Sequence, residues 1–272
     1  MATESERWLV RPGEQVDLGS VDTRSTAGAP GDKDETSATF ADLDVRLAGL
    51  QERLWAERRQ SLLLVLQAMD AGGKDGTAKH LLRPVHPIGC RAVSFRVPSA
   101  EEAAHDFLWR VHKRTPAKGE IVVFNRSHYE DVLVVRVHSL VPEEVWRPRY
   151  RLISDFEANL AAAGTKVVKV FLHVSREEQA RRFHDRLVDP TKRWKFRAGD
   201  LDDRARWDDF RAAYTEAIER TTTEASPWYV VPADRKWYRN WAVSNIVIET
   251  LEAMAPAYPP GEEGIEDVVV PP

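Results

Sequence analysis

The sequence predicts an α/β fold of three layers, a parallel sheet with helices on both faces. A continuous apolar run at 62–66 and similar runs at 121–124, 167–174 and 228–231 are short and bounded by turns, as strands buried on both faces are. Segments with apolar residues three and four apart alternate with them, the order that builds parallel sheets. The breaks are short and polar, with no linker or repeat, so residues 40–255 read as one domain.

The elements follow in chain order. Residues 1–39 read as an irregular strap, because 19–39 is rich in Ser, Thr, Gly and Asp. Residues 40–59 place Leu43, Leu47, Leu50 and Leu54 on one helical face. Beyond the first strand, helical patterns fall at 75–83, 101–114, 143–162, 176–187, 203–223 and 236–254, with the other strands between them. Residues 256–272 carry five prolines and read as an irregular tail.

Composition narrows the function classes. Hydrophobic residues make up 43% and charged residues 30% of the 272, enough for a core and against wholesale disorder. A net charge of -4 argues against a nucleic-acid partner. The single cysteine, Cys90, cannot form an internal disulfide, and no CxxC or HExxH suggests zinc. The run 62–66 is far short of the ~20 residues of a membrane span, so the reading is a soluble, cytoplasmic protein without a membrane partner.

Ala68-Met69-Asp70-Ala71-Gly72-Gly73-Lys74-Asp75-Gly76-Thr77 follows the first strand and opens a helix. Strand, glycine-rich loop, lysine and helix in this order make a phosphate-binding loop, and the fold a P-loop kinase-like one. Small residues let amides approach a phosphate, and Lys74 supplies charge. Against the pattern GxxxxGK[ST], Ala68 replaces the first glycine and Asp75 replaces the hydroxyl residue that usually serves magnesium. Asp70 is either a magnesium ligand, direct or through water, or a turn-stabilising acid bonded to backbone amides.

The second strand end reads Asn125-Arg126-Ser127-His128-Tyr129-Glu130. Asn125 stands where a metal-steering Asp is usual. Either Asn125 orients a metal-bound water or a phosphate and Arg126 holds a phosphate, or Asn125 caps a helix and Arg126 pairs with Glu130. His128, with no second histidine at ligand spacing, reads as structural. Between 181 and 197 seven basic residues face two acids. This is either a basic helical lid, spanning about 176–200, or a solvated face with pairs such as Arg181 with Asp185. Ala180, Phe183 and Leu187 would form that helix's apolar stripe.

These residues resemble the polyphosphate kinase 2 family of polyphosphate:nucleotide phosphotransferases. The matching blocks are SLLLVLQAMDAGGKDGT, SFRVPSAEEAAHDFLWRVH, FNRSHYEDVLVVRVH, RLVDPTKRWKF and PWYVVPADRKWYR, in order across almost the whole chain. The Asn125 form of the second motif is most similar to the class III branch. The resemblance implies magnesium-dependent, reversible phosphoryl transfer between inorganic polyphosphate and nucleoside mono- and diphosphates, AMP to ADP to ATP. It implies catalytic roles for Asp70, Lys74, Asn125, Arg126 and the lid's Arg186, with magnesium on Asp70 and on Asn125 through water. Residues 71–77, namely Ala71, Gly72, Gly73, Lys74, Asp75, Gly76 and Thr77, would bind phosphate, and Asn125, Arg126 and Glu130 the nucleotide. Lys79, Arg83, Lys192, Arg193 and Lys195 are expected to line a polyphosphate channel, on charge and position alone. Adenine nucleotides are the implied acceptors, guanine nucleotides remain open, and a homo-oligomer is implied. The rival readings are an ATP-dependent nucleoside monophosphate kinase, disfavoured by the missing hydroxyl after Lys74, and a nucleotide-binding switch, disfavoured by the lack of NKxD.

Overall fold

The structure, a computed structural model, describes residues 3–265 and 268–271. Six strands form one sheet: β1 (Leu9–Val10), β2 (Ser61–Gln67), β3 (Cys90–Val93), β4 (Ile121–Asn125), β5 (Thr165–His173) and β6 (Trp228–Pro232), in the order β1-β6-β5-β2-β4-β3. All neighbours pair parallel except β1, which is antiparallel to β6. The predicted fold class is what is found.

β2 lies at the centre and all seven of its residues are buried. Alternate side chains enter opposite cores, as the strand pleat requires. Leu62, Leu64 and Leu66 join the core under helices α1 (Phe40–Glu57) and α7 (Lys236–Met254). Leu63 and Val65 join the other, under α3 (Arg149–Ala162) and α6 (Trp207–Thr221). Two further helices shape the site: α2 (Lys74–Leu82) follows the glycine-rich loop, and α4 (Arg176–Val188) follows β5. After α4 the chain makes a 3-10 turn at Arg193–Lys195 and enters α5 (Gly199–Ala205).

The second core holds a buried ion pair. Lys169, fully buried on β5, places Nζ 2.5 Å from Glu157 Oε2 and donates to the Thr221 carbonyl at 2.6 Å. Glu157 also meets His128 Nε2 at 3.2 Å and accepts from the Tyr129 hydroxyl at 2.9 Å. His128 is therefore structural, and the segment after Arg126 is anchored to α3.

Several elements depart from expectation. The strap contributes β1 and a short helix, Lys33–Ala38, because Asp32 and Glu35 form a capping box around its start. The pattern at 101–114 splits into Ala100–Ala103 and Trp109–His112, with the Asp106 carboxylate capping the Leu108 amide at 3.0 Å. The 143–162 pattern breaks at Pro148, which lacks an amide hydrogen. The 203–223 pattern divides at Arg206, so α5 and α6 are separate. On α4, Gln179, Arg182 and Phe183 face inward, while Leu187 is 47% exposed and lies outside the stripe.

Candidate active site

The loop between β2 and α2 has its carbonyls tied back into the protein. Ala68 O accepts from the Tyr214 hydroxyl at 2.9 Å and Lys74 Nζ at 2.7 Å. Asp70 O accepts from Gln179 Nε2 at 2.9 Å, and the carbonyls of Ala71 and Gly72 each accept from Arg182 Nη1 at 3.0 Å. Ala71 (φ 58°) and Gly73 (φ 109°) lie in the left-handed region. A Cβ on Gly72 would come within 2.5 Å of Ala68 Cβ and 2.8 Å of Met69 O, so this turn requires glycine. Among the described residues the amides of Ala71, Gly73, Lys74, Asp75 and Gly76 find no acceptor, and all five residues border the cleft. Free amides over a helix N-terminus, with the carbonyls removed, suit an anion.

The parallel register of β2 with β4 sets Asn125 beside Leu66, so the two strand ends open together. Arg126 turns through φ 68° and its Nη2 meets Asp70 Oδ1 at 2.9 Å, not Glu130. Asn125 caps no helix; Ser127 caps the following turn, and the Asn125 amide donates to Asp75 Oδ1 at 2.7 Å. The lid's Lys195 reaches the other Asp75 oxygen at 3.4 Å. Burial opposes ionisation of Asp75, but the Asn125 amide and Lys195 hold its pKa below the ordinary value. Burial and the charge of Arg126 bring Lys74 down to about 8. Asp203 meets His138 Nε2 at 2.6 Å and borders the same cavity as Asp70; burial and that neighbouring acid raise its pKa.

These groups border a cleft of about 1060 Å³. Of the expected residues, Asp70, residues 71–76, Asn125, Arg126, Arg186, Lys192 and Lys195 line it. Lys192 is held by Asp189 at 2.5 Å, and Arg186 approaches Asp200 at 3.7 Å. Others lie elsewhere. The buried Thr77 hydroxyl turns to Gly73 O at 3.2 Å. Glu130 sits behind the cleft in a small cavity with Lys74 and Arg126, its pKa raised by burial. Arg193 folds back to donate to Leu187 O at 2.8 Å. Lys79 and Arg83 do not border the cleft, and Arg83 pairs with Asp44 on α1. At 100° per residue they stand about 140° and 180° around α2 from Lys74, facing the wrong way.

The sequence reading missed Lys236 and Arg239 on α7, which border the cleft, and the loop-tying role of Arg182. Arg182 is 6% exposed and spends its guanidinium on loop carbonyls, the carbonyls of Ala233 and Asp234, and Glu178. Its place in a run of cations conceals this, since the signal is tertiary.

Fold and site together define an α/β protein whose glycine-rich loop, with free amides at a central strand end, faces a cleft bordered by cationic side chains of α4 and the turn after it. Residues 31–259 match the family model Polyphosphate kinase 2 (PPK2). The AMP/ADP-polyphosphate phosphotransferase of Meiothermus ruber is 51% identical over 265 residues, covering 97% of this chain and 99% of that one. The ADP-polyphosphate phosphotransferase of Rhodopseudomonas palustris is 43% identical over 271 residues, 95% of this chain and 93% of that one. The crystal structure of Polyphosphate Kinase 2 from Arthrobacter aurescens TC1 superposes with a TM-score of 0.93 at 42% identity, covering 98% of this chain and 95% of that one. The chain belongs to the polyphosphate kinase 2 family. Among the described residues no helix is long and apolar enough to cross a membrane.

Proposed function

We propose that this protein catalyses reversible transfer of the terminal phosphoryl group of inorganic polyphosphate to AMP and ADP. The observation that carries this reading is the gathering of Asp70, Lys74 and Arg126 around one cavity where two strand ends open, beside a loop of free amides and under a cationic lid. The bridging P–O bond of polyphosphate breaks as a terminal oxygen of the acceptor bonds to the transferred phosphorus. The shortened polyphosphate leaves with the bridging oxygen, and no covalent enzyme intermediate forms. Such a transition state needs alignment and neutralised charge more than covalent help. The loop amides hold the donor phosphate, Lys74 moves from Ala68 O to the phosphoryl oxygens, and Arg126 binds the acceptor side. Arg186 closes from the lid.

Magnesium fits the residues present. Asp70 and Asp203 border the same cleft and offer two carboxylates as hard oxygen donors, which a divalent cation would stabilise. A magnesium ion held here would complete its shell with phosphate oxygens and water. Asp70 would hold it, and Asn125, whose amide nitrogen is engaged by Asp75, would offer its oxygen to an ion-bound water. When bound, the ion supplies neutralisation of phosphate charge.

Guanine nucleotides as further acceptors and a homo-oligomeric state rest on the family resemblance alone, and a cytoplasmic setting on the single Cys90. The test is direct: purified protein with magnesium, long-chain polyphosphate and ADP, and no nucleoside triphosphate, is expected to produce ATP. ATP that forms equally well when polyphosphate is left out would instead mark a nucleoside monophosphate kinase, which makes ATP and AMP from two ADP.

A further inference from the structure

The amino-terminal strap is tied to the strand ends that carry the site. At the end of β5 the His173 ring donates to Leu18 O at 2.8 Å, and two residues past β6 Asp234 meets Thr23 twice. The Thr23 hydroxyl donates to Asp234 Oδ2 at 2.9 Å, and the Asp234 amide donates to Thr23 O at 3.1 Å. Farther along, Ala27 O accepts from the Tyr238 hydroxyl of α7 at 2.7 Å. Neither Thr23 nor Asp234 borders the cleft, so any effect of theirs on the reaction passes through other residues.

Asp234 holds the helix that braces the phosphate-binding loop. Its Oδ1 accepts from the Ser175 amide at 2.8 Å, and Ser175 is the N-cap of α4, its hydroxyl accepting from the Glu178 amide at 3.0 Å. Two turns on, Arg182 Nη2 donates to the carbonyls of Ala233 and Asp234 at 2.5 and 3.1 Å. Its Nη1 donates to those of Ala71 and Gly72, and its Nε to Glu178. Every N–H of the guanidinium is thereby used, and the group is planar and rigid. It fixes residues 71–72 of the loop against residues 233–234. Were 233–234 to shift, one pair of carbonyls around this buried side chain would lose its donors, and the loop would relieve that cost by turning. The amides that face the cleft would turn with it.

We infer that Asp234, clamped by Thr23 of the strap, is a positioning residue for phosphoryl transfer. It sets the start of α4 and the carbonyls that seat Arg182, and through them the direction of the loop amides. This deepens the proposed function and rests on it. The loop amides serve the donor phosphate and Arg126 the acceptor, so a displaced loop acts on polyphosphate and spares the nucleotide. The task of Asp234 is hydrogen bonding and not charge, since its two carboxylate oxygens are taken by an amide and a hydroxyl. An asparagine side chain can make the same two bonds, accepting from the Ser175 amide and donating to the Thr23 hydroxyl.

The experiment uses the full chain and compares wild type with Thr23→Val, Asp234→Ala and Asp234→Asn. Rates are measured with long-chain polyphosphate varied at saturating ADP, and then with ADP varied at saturating polyphosphate, and each preparation is melted by calorimetry. The expected result for Asp234→Ala is kcat/KM for polyphosphate lowered about tenfold, and for Thr23→Val about threefold, the scale of loss that a slightly misplaced positioning element brings. KM for ADP should stay within about twofold in both, and Asp234→Asn should keep kcat/KM for polyphosphate within about twofold of wild type. Thr23→Val removes one hydroxyl at nearly constant shape, so it decides the question should Asp234→Ala fold poorly. A lower melting temperature with unaltered polyphosphate kinetics would make the clamp merely structural and overturn the inference. An Asn variant as impaired as the Ala variant would overturn it too, by showing that charge is what matters. A raised KM for ADP with polyphosphate spared would place the effect on the acceptor and also overturn it. Wild-type protein that makes no ATP from polyphosphate would refute the proposed function itself, a separate outcome.

Discussion

Asn125 donates its side-chain amide to Asp75 at 2.7 Å, joining the end of β4 to the first turn of α2. The second Asp75 oxygen takes Lys195 from the lid at 3.4 Å. The acid that replaces the usual hydroxyl residue therefore serves as a latch between loop and lid, and a neutral Asn125 is what lets it be shared. An aspartate at 125 would set two carboxylates against each other.

Asp75→Ala is expected to release the lid. Hydrogen exchange of the substrate-free protein should rise across 189–197 while the strands keep their protection, since Lys195 carries that segment's side-chain contact with the loop. Unchanged exchange in that segment would rule out the latch.

Lys74→Ala should lower turnover by about 10²- to 10³-fold, the usual cost of losing one preorganised charge at a transition state. Stability should hold, because burial disfavours the Lys74 charge in the folded protein. Calorimetric melting and turnover of the same preparation check both halves.

The pH dependence of Lys74 has a definite sign. Its folded pKa of about 8 lies below the ordinary lysine value of 10.5, so between these values the unfolded chain binds more protons and this group favours folding increasingly as pH rises. A bound phosphate favours the charged form, so polyphosphate binding near pH 8.5 should take up protons, with little uptake through Lys74 at pH 6.5. Calorimetry in buffers of different ionisation enthalpy measures this, and proton release at pH 8.5 would contradict it.

In the lid, Arg186→Ala should reduce kcat, whereas Lys195→Ala should chiefly raise the KM for polyphosphate in a salt-sensitive way. Lys192→Ala should do less, since Asp189 already holds that ammonium at 2.5 Å.

The fully buried Lys169 supports the segment after Arg126 through Glu157. Lys169→Ala leaves Glu157 uncompensated and should cost about 3–5 kcal/mol in urea unfolding, with the paired change Lys169→Met and Glu157→Leu recovering most of it.

The central layer was legible because β2, β4, β5 and β6 are buried on both faces and are written as mostly apolar runs, with Lys169 in β5 neutralised by Glu157. β3 escaped because Cys90–Val93 is an edge strand, only partly buried and carrying Arg91. The loop and strand-end residues were legible because each lies next to a strand end in sequence. Charge counting failed where orientation decides. Lys79 and Arg83 face away on α2, and Arg182 proved to be the brace of the loop. Arg239 is far from the loop in sequence and declares itself only through its approach to Gly73.

The most direct test of the account is a time course with purified protein, magnesium, long-chain polyphosphate and AMP alone, free of adenylate kinase. The account expects ADP to appear first and ATP to follow from the same site with polyphosphate as sole donor. A reaction that needs a nucleoside triphosphate, or that leaves polyphosphate unconsumed, would contradict it.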